Sequence, residues 1–296
     1  MTYFLRCNLR WCLRCVAIIG VLAGAIGLGG CSAVRLGYNN APDLVYWWLD
    51  SYLDFDSAQT LRLRADLQSL QDWHRKEEVP LYADLLKNLQ PLSGQQVNTE
   101  QVCAVYTTLE SRLMVTADRI MPTATAIAPT LRPEQLQHLA KAWDKRNQEW
   151  REDWLDGSQQ DRAQHRLKKL RERSESFYGR MNDTQLARLS TLLEGAGFDA
   201  ASQYRETLRR QQDIVQTLKG VRGASEIHTQ AELRALLSRS LQSPDDALRQ
   251  YQLRARLQGC SIIASLHNTA TPSQRNKLAQ TLQNYEADAS AVALSR

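Results

Sequence analysis

The chain has 296 residues, with 37 Lys and Arg against 32 Asp and Glu. Residues 1–30 hold three Arg and no acid, so the remainder carries 34 against 32, a balance of +2 that argues for no particular partner. That remainder is rich in Leu, Gln, Arg and Ala, which are good helix formers. It has almost no alternating Val-Ile-Thr-aromatic runs, which sets strands aside and predicts an all-α fold.

At the start, Arg6, Arg10 and Arg14 precede an apolar run from Val16 to Leu28. A basic segment, a short apolar stretch and small residues before a junction form a secretory signal peptide over residues 1–30. The run, roughly 13 residues, is too short to span a bilayer comfortably as a helix. Leu28-Gly29-Gly30-Cys31 resembles a bacterial lipobox. The resemblance implies cleavage before Cys31 and acylation of its thiol and new amine, giving a lipid-anchored protein. The plainer alternative is a signal peptide with an incidental Cys. Residues 31–41 then read as the lipidated Cys and a tether, and 42–296 as one periplasmic helical domain. Cys7, Cys12 and Cys15 leave with the signal, so Cys103 and Cys260 remain as an even pair in an oxidising compartment. A disulfide between them closes a loop of roughly 158 residues, for which chain entropy allows about 5 kcal/mol. Two buried free thiols are the alternative.

Pro42 suits a first helical position, and Leu44, Val45, Trp47, Trp48, Tyr52 and Leu53 make a short aromatic helix. Asp54-Phe55-Asp56-Ser57 offers caps for a second helix carrying Leu63, Leu67, Leu70 and His74, which Pro80 kinks or splits before Leu81–Leu89. A third runs through Val102, Val105, Leu109, Leu113 and Ile120, with its end disturbed by Pro122 and Pro129. A fourth starts at Pro133 and carries Leu136, Leu139, Trp143, Trp150 and Trp154 up to Asp156-Gly157-Ser158. The fifth has only a narrow seam of Ala163, Leu167, Leu170, Ser174 and Phe177. Leu186, Leu189 and Leu193 form a sixth, and Gly195–Asp199 is the best candidate boundary in the domain. The period resumes at Tyr204, Leu208, Val215 and Leu218 and stops at the Gly220–Gly223 turn. Thr229 with Glu232 reads as a capping box, Ser243-Pro244 as the next helix start, and Thr271-Pro272 as the last. The sum is an elongated bundle of about eight to ten helices, mostly antiparallel.

One signal recurs at helix starts: Leu92-Ser93-Gly94-Gln95-Gln96, Leu131-Arg132-Pro133-Glu134-Gln135, Met181-Asn182-Asp183-Thr184-Gln185 and Ala270-Thr271-Pro272-Ser273-Gln274. In three of them a Ser, Asn or Thr stands three residues before a Gln. The first side chain caps an N–H of the helix and the Gln reaches back to the cap residue's own N–H. These are good helix starts in their own right. They also resemble degenerate versions of the Leu-Thr-x-x-Gln motif of the Spy/CpxP-type periplasmic proteins, a likeness that implies an ATP-independent chaperone activity on a concave surface. No copy here is a strict Leu-Thr-x-x-Gln. A wider likeness lies in Gly30-Cys31-Ser32, Tyr38-Asn39-Asn40, Trp47-Trp48-Leu49-Asp50 and Tyr52-Leu53-Asp54-Phe55. These resemble a family of uncharacterised lipoproteins of Gram-negative bacteria, which implies an address and a helical fold but no activity. Ser32, where Asp signals retention at the inner membrane in such lipoproteins, implies the outer membrane, facing the periplasm.

No constellation names a reaction. The five His (74, 138, 165, 228 and 267) form neither His-Glu-x-x-His nor Glu-x-x-His. Glu134/His138 and Asp161/His165 stand four apart on helix faces, a spacing more typical of surface contacts than of a metal site. There is no Gly-x-Ser-x-Gly elbow and no phosphate-cradling loop. No catalytic residue, cofactor or metal is expected. Arg162, Arg166, Lys168, Lys169, Arg171 and Arg173 cluster on the fifth helix and suit anionic lipid or an acidic protein, or are a solvated face. Trp47 and Trp48 follow the anchor closely and suit a bilayer interface, with core packing as the alternative. The leading expectation is therefore a non-enzymatic outer-membrane lipoprotein that binds envelope or client proteins through an apolar groove with a basic rim, with no nucleic-acid partner. An envelope scaffold in contact with lipid comes second, and an enzyme with a site assembled from distant residues third.

Overall fold

The computed structural model describes residues 33–295. Cys31 and the signal segment lie outside the described residues. Twelve helices and no strands occur among the described residues: α1 (Ala33–Asn39), α2 (Ala41–Leu53), α3 (Ser57–Glu77), α4 (Val79–Leu89), α5 (Thr99–Ile127), α6 (Pro133–Trp154), α7 (Gln159–Tyr178), α8 (Asp183–Glu194), α9 (Ala200–Gly220), α10 (Glu226–Leu241), α11 (Asp246–Asn268) and α12 (Pro272–Leu294). The fold is all-α, with two more helices than the upper end of the expected range. Part of the excess comes from the stretch read as a tether, where residues 33–39 form α1. The Pro80 split supplies α4, with the proline in the first turn where no N–H partner is needed. Pro122 does not end α5, which runs on to Ile127 and gives way to a 3-10 turn at Ala128–Thr130.

Two helix starts differ from expectation. Ser225, not Thr229, caps α10, and Thr229 lies buried inside that helix with its hydroxyl donating to the Ser225 carbonyl. Asp245, not Ser243, caps α11, because the Ser243 hydroxyl is drawn inward to the Glu206 carboxylate at 3.1 Å. At Ser243 a tertiary demand on the hydroxyl moves the cap two residues on, whereas at Thr229 the helix begins one turn earlier and the hydroxyl bonds back to its start.

The apolar residues gather in separate clusters. Tyr46, Leu63, Leu67, Ile127, Leu131 and Leu136 join α2, α3, the end of α5 and the start of α6. Met121, Ala128, Val221 and Leu233 hold the end of α5 to α9 and α10. Met181, Leu189 and Ile262 join α8 to α11 with Leu167 and Leu170 of α7 against them. A long contact between α4 and α12 buries Val79, Ala83, Leu278 and Leu282. The first two-thirds of α5 bury no residue, and its first buried side chain is Met121. That stretch lies along α11, and Cys103 is bonded to Cys260 there with the Cα atoms 5.5 Å apart. The helices therefore surround an open space instead of converging on one core.

Two nodes fasten this arrangement. At the starts of α3 and α6, Gln59 and Gln135 exchange side-chain hydrogen bonds of 3.4 and 2.8 Å. At the starts of α8 and α12, Gln185 and Gln274 do the same at 2.8 and 3.0 Å. Each Gln accepts the backbone N–H of its own cap residue (Asp56, Arg132, Asn182, Thr271). Each amide also donates to the carbonyl two residues ahead of the partner helix's cap: Thr130, Asp54, Thr269 and Arg180. All four Gln are buried, and the geometry meets the rule that a buried amide must be hydrogen-bonded.

Three of the four recurring sequence patches belong to these nodes. The remaining patch does not: Ser93 sits in a 3-10 turn and donates to the Gln90 carbonyl, while the cap of α5 is Asn98 with Gln101. Its place in the set is taken by Asp56-Ser57-Ala58-Gln59, whose acidic cap hides it from a Ser/Thr/Asn-x-x-Gln pattern.

Candidate functional site

The open space is a cleft of about 1880 Å³ between α5, α6, α7, α9, α10, α11 and α12, with Leu92 and Ser93 of the turn after α4 also in its lining. Its α5 wall presents Val102, Val105, Tyr106 and Leu109, and its α11 wall Leu253 and Ile263. Leu253 is 55 % exposed and Ile263 49 %, so these side chains face solvent across the opening instead of packing into a core. An exposed apolar concavity of this kind is a candidate binding surface.

One side of the cleft is aromatic. Trp150 stacks on Tyr204 at 5.5 Å between ring centroids and on Trp154 at 6.1 Å. Trp154 then meets Phe198 at 5.7 Å and His165 edge-on at 4.7 Å. The Trp stripe of α6 thus forms a wall, held by partners on α7, α9 and the loop between α8 and α9. Trp143, the first of that stripe, is half-buried and does not line the cleft.

The charges in the lining are unequal: Arg112, Arg173, Arg210, Arg249 and Arg256 against Glu110 and Glu206. Arg256 pairs with Glu110 at 3.0 Å and lies over the Tyr106 ring at 4.3 Å, bridging the two walls beside the disulfide. Arg112 reaches the buried Glu78 at 3.5 Å. Burial opposes ionisation of Glu206, but hydrogen bonds from Arg209 and Arg210 outweigh it and hold the carboxyl below the ordinary glutamate range. Arg249 is held by Asp246 and the Ser243 carbonyl. Arg173 is exposed and has no ion-pair partner among the described residues. Four of the five Arg are thus paired with carboxylates, and the cleft offers apolar area with Arg173 as the cation in its lining left unpaired among the described residues.

Its one histidine is a structural group. His267 receives or shares the Tyr178 hydroxyl proton at Nδ1, 2.9 Å away, and Nε2 lies 2.8 Å from the Gln95 carbonyl, so both ring nitrogens are engaged. Burial pushes the His267 imidazole below its ordinary value and Tyr178 up to about 12. The same pairing recurs at Tyr38 and His74, 3.0 Å apart, where burial again lowers the histidine and raises the tyrosine to about 12. Sequence periodicity had no means of pairing these residues, which lie 36 and 89 positions apart.

The basic helix α7 divides in two. Lys168 and Lys169 are exposed. Arg166, expected among the membrane contacts, is half-buried: it donates to the Leu193 carbonyl at 3.0 Å and lies over the Phe198 ring at 4.5 Å. Desolvation lowers its pKa from the usual guanidinium value, and it serves the α7–α8 joint. Among the described residues no group of three or more His, Cys, Asp or Glu is placed to hold a metal ion. His138 is bonded to the Ser51 carbonyl, Asp161 accepts the N–H of Ser158, the cap of α7, and His165 lies against Trp154. No described helix is long and apolar enough to cross a membrane.

Residues 51–251 match the model of a Family of unknown function (DUF6279), and the chain belongs to that family. No curated protein and no solved structure matches the chain.

Proposed function

We propose that this member of the DUF6279 family is an outer-membrane lipoprotein facing the periplasm, anchored through Cys31, which acts without catalysis by holding segments of other proteins in its central cleft. The observation that carries the reading is the cleft itself: apolar walls that face solvent, with five Arg in the lining, of which Arg173 is left unpaired among the described residues. Such a surface suits an unfolded or extended segment that combines apolar and acidic side chains. The Gln nodes support the likeness to the Spy/CpxP-type helix-start motif, and with it a chaperone-like use of the concavity. The histidine and the buried glutamate of the cleft are engaged in structure: His267 with Tyr178 and the Gln95 carbonyl, Glu206 with two Arg. The address rests on the lipobox-like Leu28–Cys31 and on Ser32 after it.

The test uses the chain from Ser32, which retains every described helix. At substoichiometric to equimolar amounts it suppresses aggregation of an unfolding client without ATP. Leu253→Asp with Ile263→Asp, at two exposed positions, weakens the suppression several-fold and leaves the helical signal and melting temperature in place. Raised salt weakens it further for acidic clients, through screening. No suppression by the parent chain, or suppression indifferent to the double substitution, sinks the reading.

A further inference from the structure

The second unexplained surface lies outside the cleft lining, on α1 and α2. A helix with an apolar stripe normally buries that stripe and exposes the rest. α2 buries Tyr46 and packs Leu49 and Leu53 into the first cluster. Its opposite face is apolar as well: Leu44, Trp47 and Trp48, at positions i, i+3 and i+4, stand in solvent, with Trp47 58 % and Trp48 57 % exposed. Val34 and Leu36 of α1 are exposed too, Leu36 at 62 %. Among the described residues no other Trp is exposed.

The three charged residues of this segment are all engaged. Arg35 pairs with Asp288 of α12 at 2.9 Å, Asp43 with Arg64 of α3, and Asp50 accepts the Phe55 N–H at 2.9 Å. The segment is also fixed to the body of the protein. Gln71 donates to the Tyr38 carbonyl, Tyr38 meets His74, and Arg75 donates to Asn39. The apolar face therefore has a set orientation relative to the rest of the fold.

We infer that this face is a membrane-contact surface, and that its occupant is the interfacial layer of the bilayer in which the chain is anchored. The inference rests on anchoring at Cys31, as proposed above. Val34 is three residues from Cys31, a span of at most about 11 Å for extended chain. A lipid on Cys31 holds α1 at the headgroup layer and brings the Trp face with it. Exposed Trp with Leu and Val, free of unpaired charge, has the chemistry of that layer, where indole rings combine an apolar body with an N–H that finds headgroup partners. α1 and α2 would lie on the membrane, and the cleft would be held at a fixed attitude to it.

The experiment supplies the anchor chemically, so its result does not depend on acylation in the cell. The chain from Cys31 has one free thiol, since Cys103 and Cys260 are bonded to each other. That thiol is coupled to a maleimide-headgroup lipid in phosphatidylcholine vesicles, with plain or brominated acyl chains. The expected result is loss of about one third of the Trp emission in brominated vesicles, the share of two rings in six. Trp47→Ser with Trp48→Ser abolishes that loss without changing the melting temperature. Equal emission in both vesicle types overturns the inference and leaves the face to a protein partner or a second copy of the chain. Quenching that survives the double substitution overturns it as well. Acylation itself is read separately, by incorporation of labelled palmitate that a Cys31→Ser chain loses.

Discussion

The Gln59–Gln135 node and the Gln185–Gln274 node do the same job with different parts. In both, the buried amides close a reciprocal pair, each also satisfying a cap N–H and a carbonyl ahead of the partner helix. The caps differ. In the second node Asn182 and Thr271 both accept an N–H of their own helix, so both capping boxes are complete. In the first, Asp56 completes its box but Arg132 has no acceptor to offer, and its guanidinium pairs instead with the Asp56 carboxylate. The buried Gln pair is thus the common structural requirement, and the cap can be exchanged for an ion pair. The physical reason is exposure. Arg132 and Asp56 stand in water, where losing one interaction is cheap, while the Gln amides have no solvent to fall back on.

The largest effect expected separates the halves without touching either node. The Cys103–Cys260 bond joins α5 to α11 across 157 positions, and α5 buries nothing of its own along that stretch. Replacing both cysteines by Ser should lower stability in urea by up to about 5 kcal/mol and selectively expose amides of residues 99–115 to hydrogen exchange. Uniform exchange over the whole chain would contradict the picture of a stapled arm.

Next come the nodes. Gln135→Ala should cost about 3 kcal/mol, since it leaves the Gln59 amide and the Leu53 and Asp54 carbonyls short of partners. Gln185→Ala should cost a similar amount at the other node, and a double-mutant cycle should give a coupling of about 1–3 kcal/mol within a node and close to zero between nodes. A large coupling between Gln135 and Gln185 would mean that the nodes are not separate units.

This comparison also shows where the sequence was readable. The second node was visible as Asn182…Gln185 and Thr271…Gln274, because a neutral cap and a Gln three residues on are a local signal. The first was half visible, through Gln135. Gln59 was missed because Asp56 was read only as a possible cap, and Ser93 was included because a correctly spaced hydroxyl looks the same when a 3-10 turn uses it otherwise. Helix existence followed from apolar spacing, and the boundaries moved where a tertiary partner took the capping hydroxyl, as at Ser243, or where a residue one turn earlier supplied the cap, as Ser225 does before Thr229. An apolar groove was expected in kind, but its lining was beyond local reading: Leu253, Ile263 and Tyr106 stand on helices far apart in sequence, and only the folded arrangement sets them around one opening. Trp47 and Trp48 were legible as a choice between core and membrane, and their exposure removes the core alternative.

The Tyr–His pairs give a smaller, pH-dependent contrast. Burial lowers both His74 and His267 below the ordinary 6.5. The unfolded chain therefore binds these protons first on acidification. Their contribution to stability is complete above about 6.5 and is lost as pH falls through the depressed folded values. The nearby Glu78 opposes the shift at His74, whereas Arg275 adds to it at His267. The melting temperature should be flat from pH 8 to about 7 and fall below 6.5. The carboxylates held down by Arg partners, Glu206 and Asp213, begin to contribute in the same direction only further into acid. Ring-proton titration by NMR should place both imidazoles below 6.5; a value above it at either would reverse the sign for that pair.

The smallest effect is the one that tests whether the cap is exchangeable. Arg132→Asn gives α6 a side-chain acceptor like that of Asn182, worth about 1 kcal/mol at a helix start. It also removes the pair with Asp56, whose partners are both largely exposed and for which about 0–1 kcal/mol is usual. The two terms oppose each other, so the net change should lie between about zero and about 1 kcal/mol of stabilisation. Asn182→Ala has no such compensation and should cost about 1 kcal/mol. In high salt the Arg132–Asp56 pair weakens and a cap hydrogen bond does not, so Arg132→Asn should become more stabilising relative to the parent. If Arg132→Asn instead destabilises by as much as a Gln substitution, Arg132 is part of the node and the buried amides alone do not define it.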